Sequence, residues 1–224
     1  MLDRANDAVL EAIRERRDDA LAALLAVDET QRAHGGPGGE TLVLHACYVG
    51  AAVLAPVLRG DRPYDACEAA ALGDLPALHA ALDRDADLIS RRSSDGWTPL
   101  HLAAFFGRDE CAAYLIDNSA PLDAHSTNAL RNTPLHAALA GACNHNVVRR
   151  LVFAGADVNS RGEQNIHPLH IAAARGDQLM VDLLLSRDAD PSATMTDGAT
   201  AADMAQQRGF GEVEAKLRGL VGGQ

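Results

Sequence analysis

Three histidines, His101, His136 and His170, recur at offsets of 35 and 34 residues. Imidazole is the common metal ligand and the side chain that titrates nearest neutral pH, so metal binding and proton transfer are the chemistries to weigh first. Zinc holds an imidazole nitrogen at ~2.0–2.1 Å, whereas packed helices stand ~8–10 Å apart. Histidines at equivalent places in successive elements therefore do not converge on one ion, and the spacing predicts a hydrogen-bonding role repeated along the chain. His167 and His170, three apart, form a closer pair, but His167 stands where the sister segments carry a capping Thr. Cys143 and His145 offer a thiol beside a base, with no third group at a readable spacing to orient them. Cys47, Cys67 and Cys111 occupy slots that hold Ala, His or apolar residues elsewhere and read as small core fillers. There is no C-x-x-C pair, phosphate loop, nucleophile elbow or clustered carboxylate pair. The expectation is no catalytic residue, no cofactor and no metal.

The histidines belong to longer recurring segments: Thr98-Pro99-Leu100-His101-Leu102-Ala103-Ala104, Thr133-Pro134-Leu135-His136-Ala137-Ala138 and His167-Pro168-Leu169-His170-Ile171-Ala172-Ala173. A Thr hydroxyl can cap the free N–H groups of a helix, and Pro at the first helical position has no N–H to satisfy. Each segment therefore opens a helix. The Ala pairs let neighbouring helices approach closely, and Gly107 or Gly176 can take the positive φ that ends a short helix. A second helix follows, with paired apolar positions at Cys111, Ala112, Leu115, Ile116, then Val147, Val148, Leu151, Val152, then Met180, Val181, Leu184, Leu185, giving one buried face apiece. Asp95-Gly96 and Asp197-Gly198 are turn dipeptides.

These segments resemble the T-P-L-H-x-A signature of ankyrin repeats, whose period is about 33 residues. The resemblance implies an all-α solenoid of helix-turn-helix units carrying short β-hairpin fingers. It extends over residues 1–224 as a single domain of about seven units: a capping unit at 5–38, a shortened one at 39–62, then 63–95, 96–130, 131–164, 165–197, and a terminal cap at 198–222. Tyr64 to Gly73 and Thr41 to Gly50 fit the helix-and-glycine frame. Thr41-Leu42-Val43-Leu44-His45 shifts the histidine by one, Asn128 to Asn132 holds about two extra residues, and Gly141 to Asn146 one.

Composition agrees with helices. Hydrophobic residues make up 47% of the 224 while aromatics make up 4%, so the core is built from Ala, Leu and Val. A net charge of −11 opposes nucleic acid and anionic membranes. With no leader-like or membrane-spanning stretch, the expectation is a cytoplasmic monomer, and the single lysine, Lys216, among arginines suggests a bacterial source. The resemblance implies a protein or peptide partner, seated on the finger tips and on the two residues before each helix-ending glycine. The predicted contacts are Tyr48, Trp97, Phe105, Phe106, Asn132, Leu139, Glu163, Gln164, Ile166 and Arg175, with Trp97 and Phe106 as anchors. The alternatives are a secreted effector that binds a host protein and an enzyme with a site near Cys143 and His145.

Overall fold

Many helices of this chain start where a short oxygen-bearing side chain, such as that of Thr41, Asp65, Asp74, Asn144, Asp177 or Thr200, precedes an apolar run. The computed structural model describes residues 2–17, 19, 36–37, 40–142 and 144–222. The chain divides into two compact units, Met1–Pro99 and Leu100–Gln224. The first contains α1 (Leu2–Arg14), α2 (Leu42–Tyr48), α3 (Ala55–Arg59), α4 (Ala66–Leu72) and α5 (Leu75–Arg84). Helix α6 (Pro99–Phe105) begins at the division. The second unit continues with α7 (Asp109–Asp117), α8 (Pro134–Ala140), α9 (His145–Phe153), α10 (Pro168–Ala174), α11 (Gln178–Leu185), α12 (Ala201–Gln207) and α13 (Gly211–Val221).

In the second unit the helices form two rows. First helices pack in the order α8, α10, α12, second helices in the order α7, α9, α11, and α8 closes on α9, α10 on α11 and α12 on α13. The Ala residues set the spacing of the first row: Ala103, Ala104, Ala137, Ala138, Ala172 and Ala173 are all fully buried. In the second row Cys111, Ala112, Leu115, Val147, Val148, Leu151, Met180, Val181 and Leu184 are buried, so the paired apolar positions face inward. Ile116 and Leu185, the last of their sets, are only half-buried.

In the first unit α2 packs on α1, α3 and α4, and α4 on α5. Val9, Ala12 and Ile13 of α1 meet Leu42, Val43 and Ala46 of α2, with Leu54 and Leu58 beneath. Helix α3 is a single short turn. Helix α4 lies within the helix-and-glycine frame that runs from Tyr64 to Gly73. Its cap is Asp65, whose carboxylate accepts from Glu68 N at 2.8 Å, because a tyrosine carries no short acceptor that can fold back on its own helix. The second half of the unit expected at 5–38 lies outside the described residues, as does Cys143.

The fingers are closed by single hairpin-type bonds, Ser93 N to Trp97 O, Gly162 N to Ile166 O and Met195 N to Ala199 O, at 2.8–2.9 Å. In the finger with extra residues the closing bond joins Ser126 N to Asn132 O at 2.7 Å, so the insertion widens the loop and leaves its base intact. Thr194 and Thr200 make an isolated antiparallel bridge, and no extended strand forms among the described residues. No helix among them is long and apolar enough to cross a membrane.

Candidate functional site

The recurring histidines are structural ties with two ends. His136 Nε2 points at Ile166 O (3.1 Å), His101 Nε2 at Asn132 O (2.9 Å) and His170 Nε2 at Ala199 O (3.3 Å). Each carbonyl belongs to the residue just before the next helix cap, so every histidine holds the inner arm of the following finger. A carbonyl only accepts, so Nε2 carries the proton and Nδ1 is left as an acceptor. Nδ1 of His136 duly accepts from Thr133 N (3.3 Å) and the Thr133 hydroxyl (2.8 Å), and Nδ1 of His170 from His167 N (3.2 Å). The Thr133 hydroxyl thus donates to the histidine while it also takes part in the capping box with the His136 backbone.

Burial pushes the His136 pKa down to about 4, and that of His170 down as well, with His167 nearby adding to it. Both rings are neutral at pH 7, as a ring with one donating and one accepting nitrogen must be. His167 and His170 have ring centroids 5.5 Å apart. No group of three or more His, Cys, Asp or Glu side chains among the described residues is placed to hold a metal ion.

Where the histidine slot holds another residue, only half of the tie survives. Glu68 and Asp203 reach back to the cap N–H of Asp65 (3.2 Å) and Thr200 (2.9 Å) as the histidines do. A carboxylate cannot donate forward, and Trp97 O takes the Cys67 thiol instead, at 3.9 Å. Burial raises the Cys67 pKa, which keeps the thiol protonated and unreactive. Glu68 is fully buried and is neutralised by a two-pronged bond from Arg62, both contacts at 2.6 Å. His45, displaced by one position, pairs with Glu40 at 2.8 Å.

Neighbouring fingers are pinned through their backbones. Glu163 N donates to Leu130 O (2.8 Å) and Thr196 N to Gln164 O (2.9 Å). Gln164 and Asn165 hold left-handed backbone, φ 53 and 63, which is uncommon for residues with a Cβ. Glu163 and Gln164 are exposed on this tip, Asn132 and Ile166 are half-buried at the finger bases, and Arg175 is exposed at the end of α10. Phe105 and Phe106 are half-buried and meet edge to face, centroids 5.1 Å apart. Tyr48, in the first unit, is exposed and donates to Asp95 Oδ2 at 2.5 Å.

Two predicted contacts are not on the surface. Trp97, expected as an anchor beside a turn with little room around it, is 6% exposed and so belongs to the interior. Leu139 is fully buried. Counting back from the glycine misplaces it, because Gly141 stands one residue closer to its cap than Gly107 or Gly176 does. Counted from the cap, Leu139 matches Ala104 and Ala173, both interior.

Gly141 also departs from the left-handed glycines, with φ −83. A Cβ there would lie 2.1 Å from Phe105 O, and Ala142 N donates to that same carbonyl at 2.8 Å, so a close backbone crossing demands the glycine. His145, in the helix that follows, is held by Asp177 at 2.7 Å. Asp177 escaped the sequence reading because the two stand 32 residues apart. The available signal was its equivalence to Asn144, since both are caps of second helices.

Stacked helix pairs tied by buried histidines, with pinned finger tips beside them, define a helical-repeat scaffold. A family model for ankyrin repeats in three copies matches residues 66–162, and a single ankyrin-repeat model matches 164–195. The chain belongs to the ankyrin-repeat family, whose members are generally protein–protein interaction modules. It is 37% identical over 100 residues to a putative ankyrin repeat-containing protein of Treponema pallidum, covering 45% of this chain and 33% of that one. It is 35% identical over 117 residues to mouse ankyrin repeat and SOCS box protein 16, covering 49% and 25%. A zebrafish neurogenic locus notch homolog protein 1 is 34% identical over 117 residues, covering 52% and 5%. The chain thus spans a third or less of the length of these relatives.

Proposed function

We propose that this chain is a non-catalytic binding module that seats a protein or peptide partner across the finger tips and the first-helix ends of its second unit. The observation that carries the reading is the row of Phe106, Asn132, Ile166 and Arg175, none fully buried, beside tips pinned to one another. A surface fixed in advance loses little freedom on binding, which favours affinity. Phe106 is the apolar anchor, Glu163, Gln164 and Arg175 supply polar contacts further along, and Phe105 meets Phe106 edge to face. Tyr48, in the first unit, is a separate candidate contact.

The test is affinity capture with the wild type and with Phe106→Ala combined with Arg175→Glu, neither side chain being fully buried. Truncating an anchor typically costs about 2 kcal/mol or more, roughly a thirtyfold loss of affinity. A folded variant that retains every partner at wild-type affinity would refute the reading.

The arginine bias and the resemblance to a Treponema protein support a bacterial source. On that reading the module is a cytoplasmic monomer, with export as an effector the alternative. Recovery of the protein from culture medium would select the second. The seven-unit division is part of the same proposal.

A further inference from the structure

Away from the finger face, the first unit contains a pocket of about 390 Å³, towards the small end of the ~300–1,000 Å³ common for ligand sites. Pro63, Pro76, Ala77 and Ala80 give it apolar walls, and Arg59, at the end of α3, and Arg84, in the last turn of α5, both line it. The Arg59 guanidinium lies over the Tyr64 ring, 4.9 Å from its centre, and donates to Arg62 O at 2.8 Å, which fixes its plane. Its Nε is shut off from solvent and has no hydrogen-bond partner. Arg84 donates only to carbonyls, Ala80 O at 3.0 Å and Tyr64 O at 3.4 Å.

Neither arginine pairs with a carboxylate among the described residues, in a chain where 31 acidic residues outnumber 20 basic ones. Arg62, close by, is by contrast fully engaged by Glu68. The one acid lining the pocket, Asp74, accepts from Ala77 N at 2.9 Å as the cap of α5. Two guanidinium charges against one carboxylate leave a single uncompensated positive charge beside an apolar wall. That balance suits a monoanion, and the chain's overall charge of −11 disfavours more highly charged ligands.

We propose that this pocket binds the carboxylate of a small apolar acid, either free or as the end of a peptide chain whose last residue is apolar. The guanidinium pair receives the carboxylate, for which planar N–H donors are well matched, and the prolines and alanines receive the hydrocarbon. The proposal is independent of the finger-face reading, since the pocket shares no residue with it.

The full chain can be titrated, by calorimetry or amide NMR, with 4-methylpentanoate, with an N-acetylated tripeptide ending in leucine as the free acid and as the amide, and with inorganic phosphate. At least one acid is expected to bind saturably, with shifts centred on Ala77 and Ala80, and the tighter of the two identifies the source. The amide and phosphate should bind at least about tenfold more weakly, and Arg84→Gln should weaken the acid by a similar factor, as expected when a charge-assisted bond is lost. Arg84 is exposed, so this variant should keep the wild-type circular dichroism and melting temperature. Arg59→Gln gives a second arm from the other side of the pocket. No saturable binding of either acid, equal binding of the amide or phosphate, or unchanged affinity in a folded Arg84→Gln would overturn the proposal.

Discussion

At the scale of the residue, His136 illustrates why the motif requires histidine. One buried side chain must accept from the cap N–H of its own helix and donate to a carbonyl 30 residues on, and neutral imidazole does both from opposite edges of the ring. Glu68 and Asp203 manage only the first task. The arrangement has a pH cost of definite sign. In the folded chain the His136 pKa is pushed down to about 4, against an ordinary value of 6.5, so between those limits the unfolded chain binds the extra proton. The contribution is intact above about pH 6.5 and is lost progressively as the pH falls towards 4, by roughly 3 kcal/mol in full. His170, shifted in the same direction, adds to the slope. The urea midpoint should therefore fall between pH 7.5 and 5, and His136→Gln should flatten that dependence. Ring nitrogen shifts at pH 5.5 should report a neutral His136 with its proton on Nε2; a charged ring at that pH would contradict the assignment.

At the scale of the element, Gly141 and Leu184 mark two kinds of constraint. Gly141 sits where the loop entering α9 crosses the end of α6, and a methyl group there meets backbone that cannot turn aside. Gly141→Ala should cost about 3 kcal/mol, as overpacking against an immovable neighbour does. Leu184 lies wholly inside the second row, and Leu184→Ala should cost about 2–5 kcal/mol by leaving a cavity. Both changes are read from urea unfolding, and an unchanged midpoint for Leu184→Ala would mean that α11 turns another face to the core. These elements were legible in the sequence to the extent that they repeat. The helix starts at Thr133 and Thr200, the Ala pairs and the inward face of α11 follow from period and side-chain chemistry. What breaks the period was harder to see. Leu139 was misplaced because a glycine arrived one residue early. No spacing records the burial of Trp97. Arg59 and Arg84, on α3 and α5, line one pocket, and no repeat spacing pairs them.

At the scale of the whole molecule, a repeat chain has no single centre of stability. Within the second unit neighbouring helix pairs touch, so folding free energy accumulates as terms between neighbours, and damage should stay near its source. Leu184→Ala provides the measurement. Helix α11 packs on α10 and α9, and α10 in turn on α12, so a cavity in α11 loosens the end of the array first. Amide exchange followed by mass spectrometry should show protection lost across residues 168–221, by a factor matching the measured change in stability, while residues 66–84 exchange at the wild-type rate. Uniform loss of protection along the chain would mean that it unfolds as one cooperative block. The local outcome has a consequence for binding. A partner seated across Phe106, Gln164 and Arg175 bridges several neighbouring pairs, so its binding should restore protection in the weakened end by stabilising the folded state, and the restored exchange would report the contact before the partner's own structure is known.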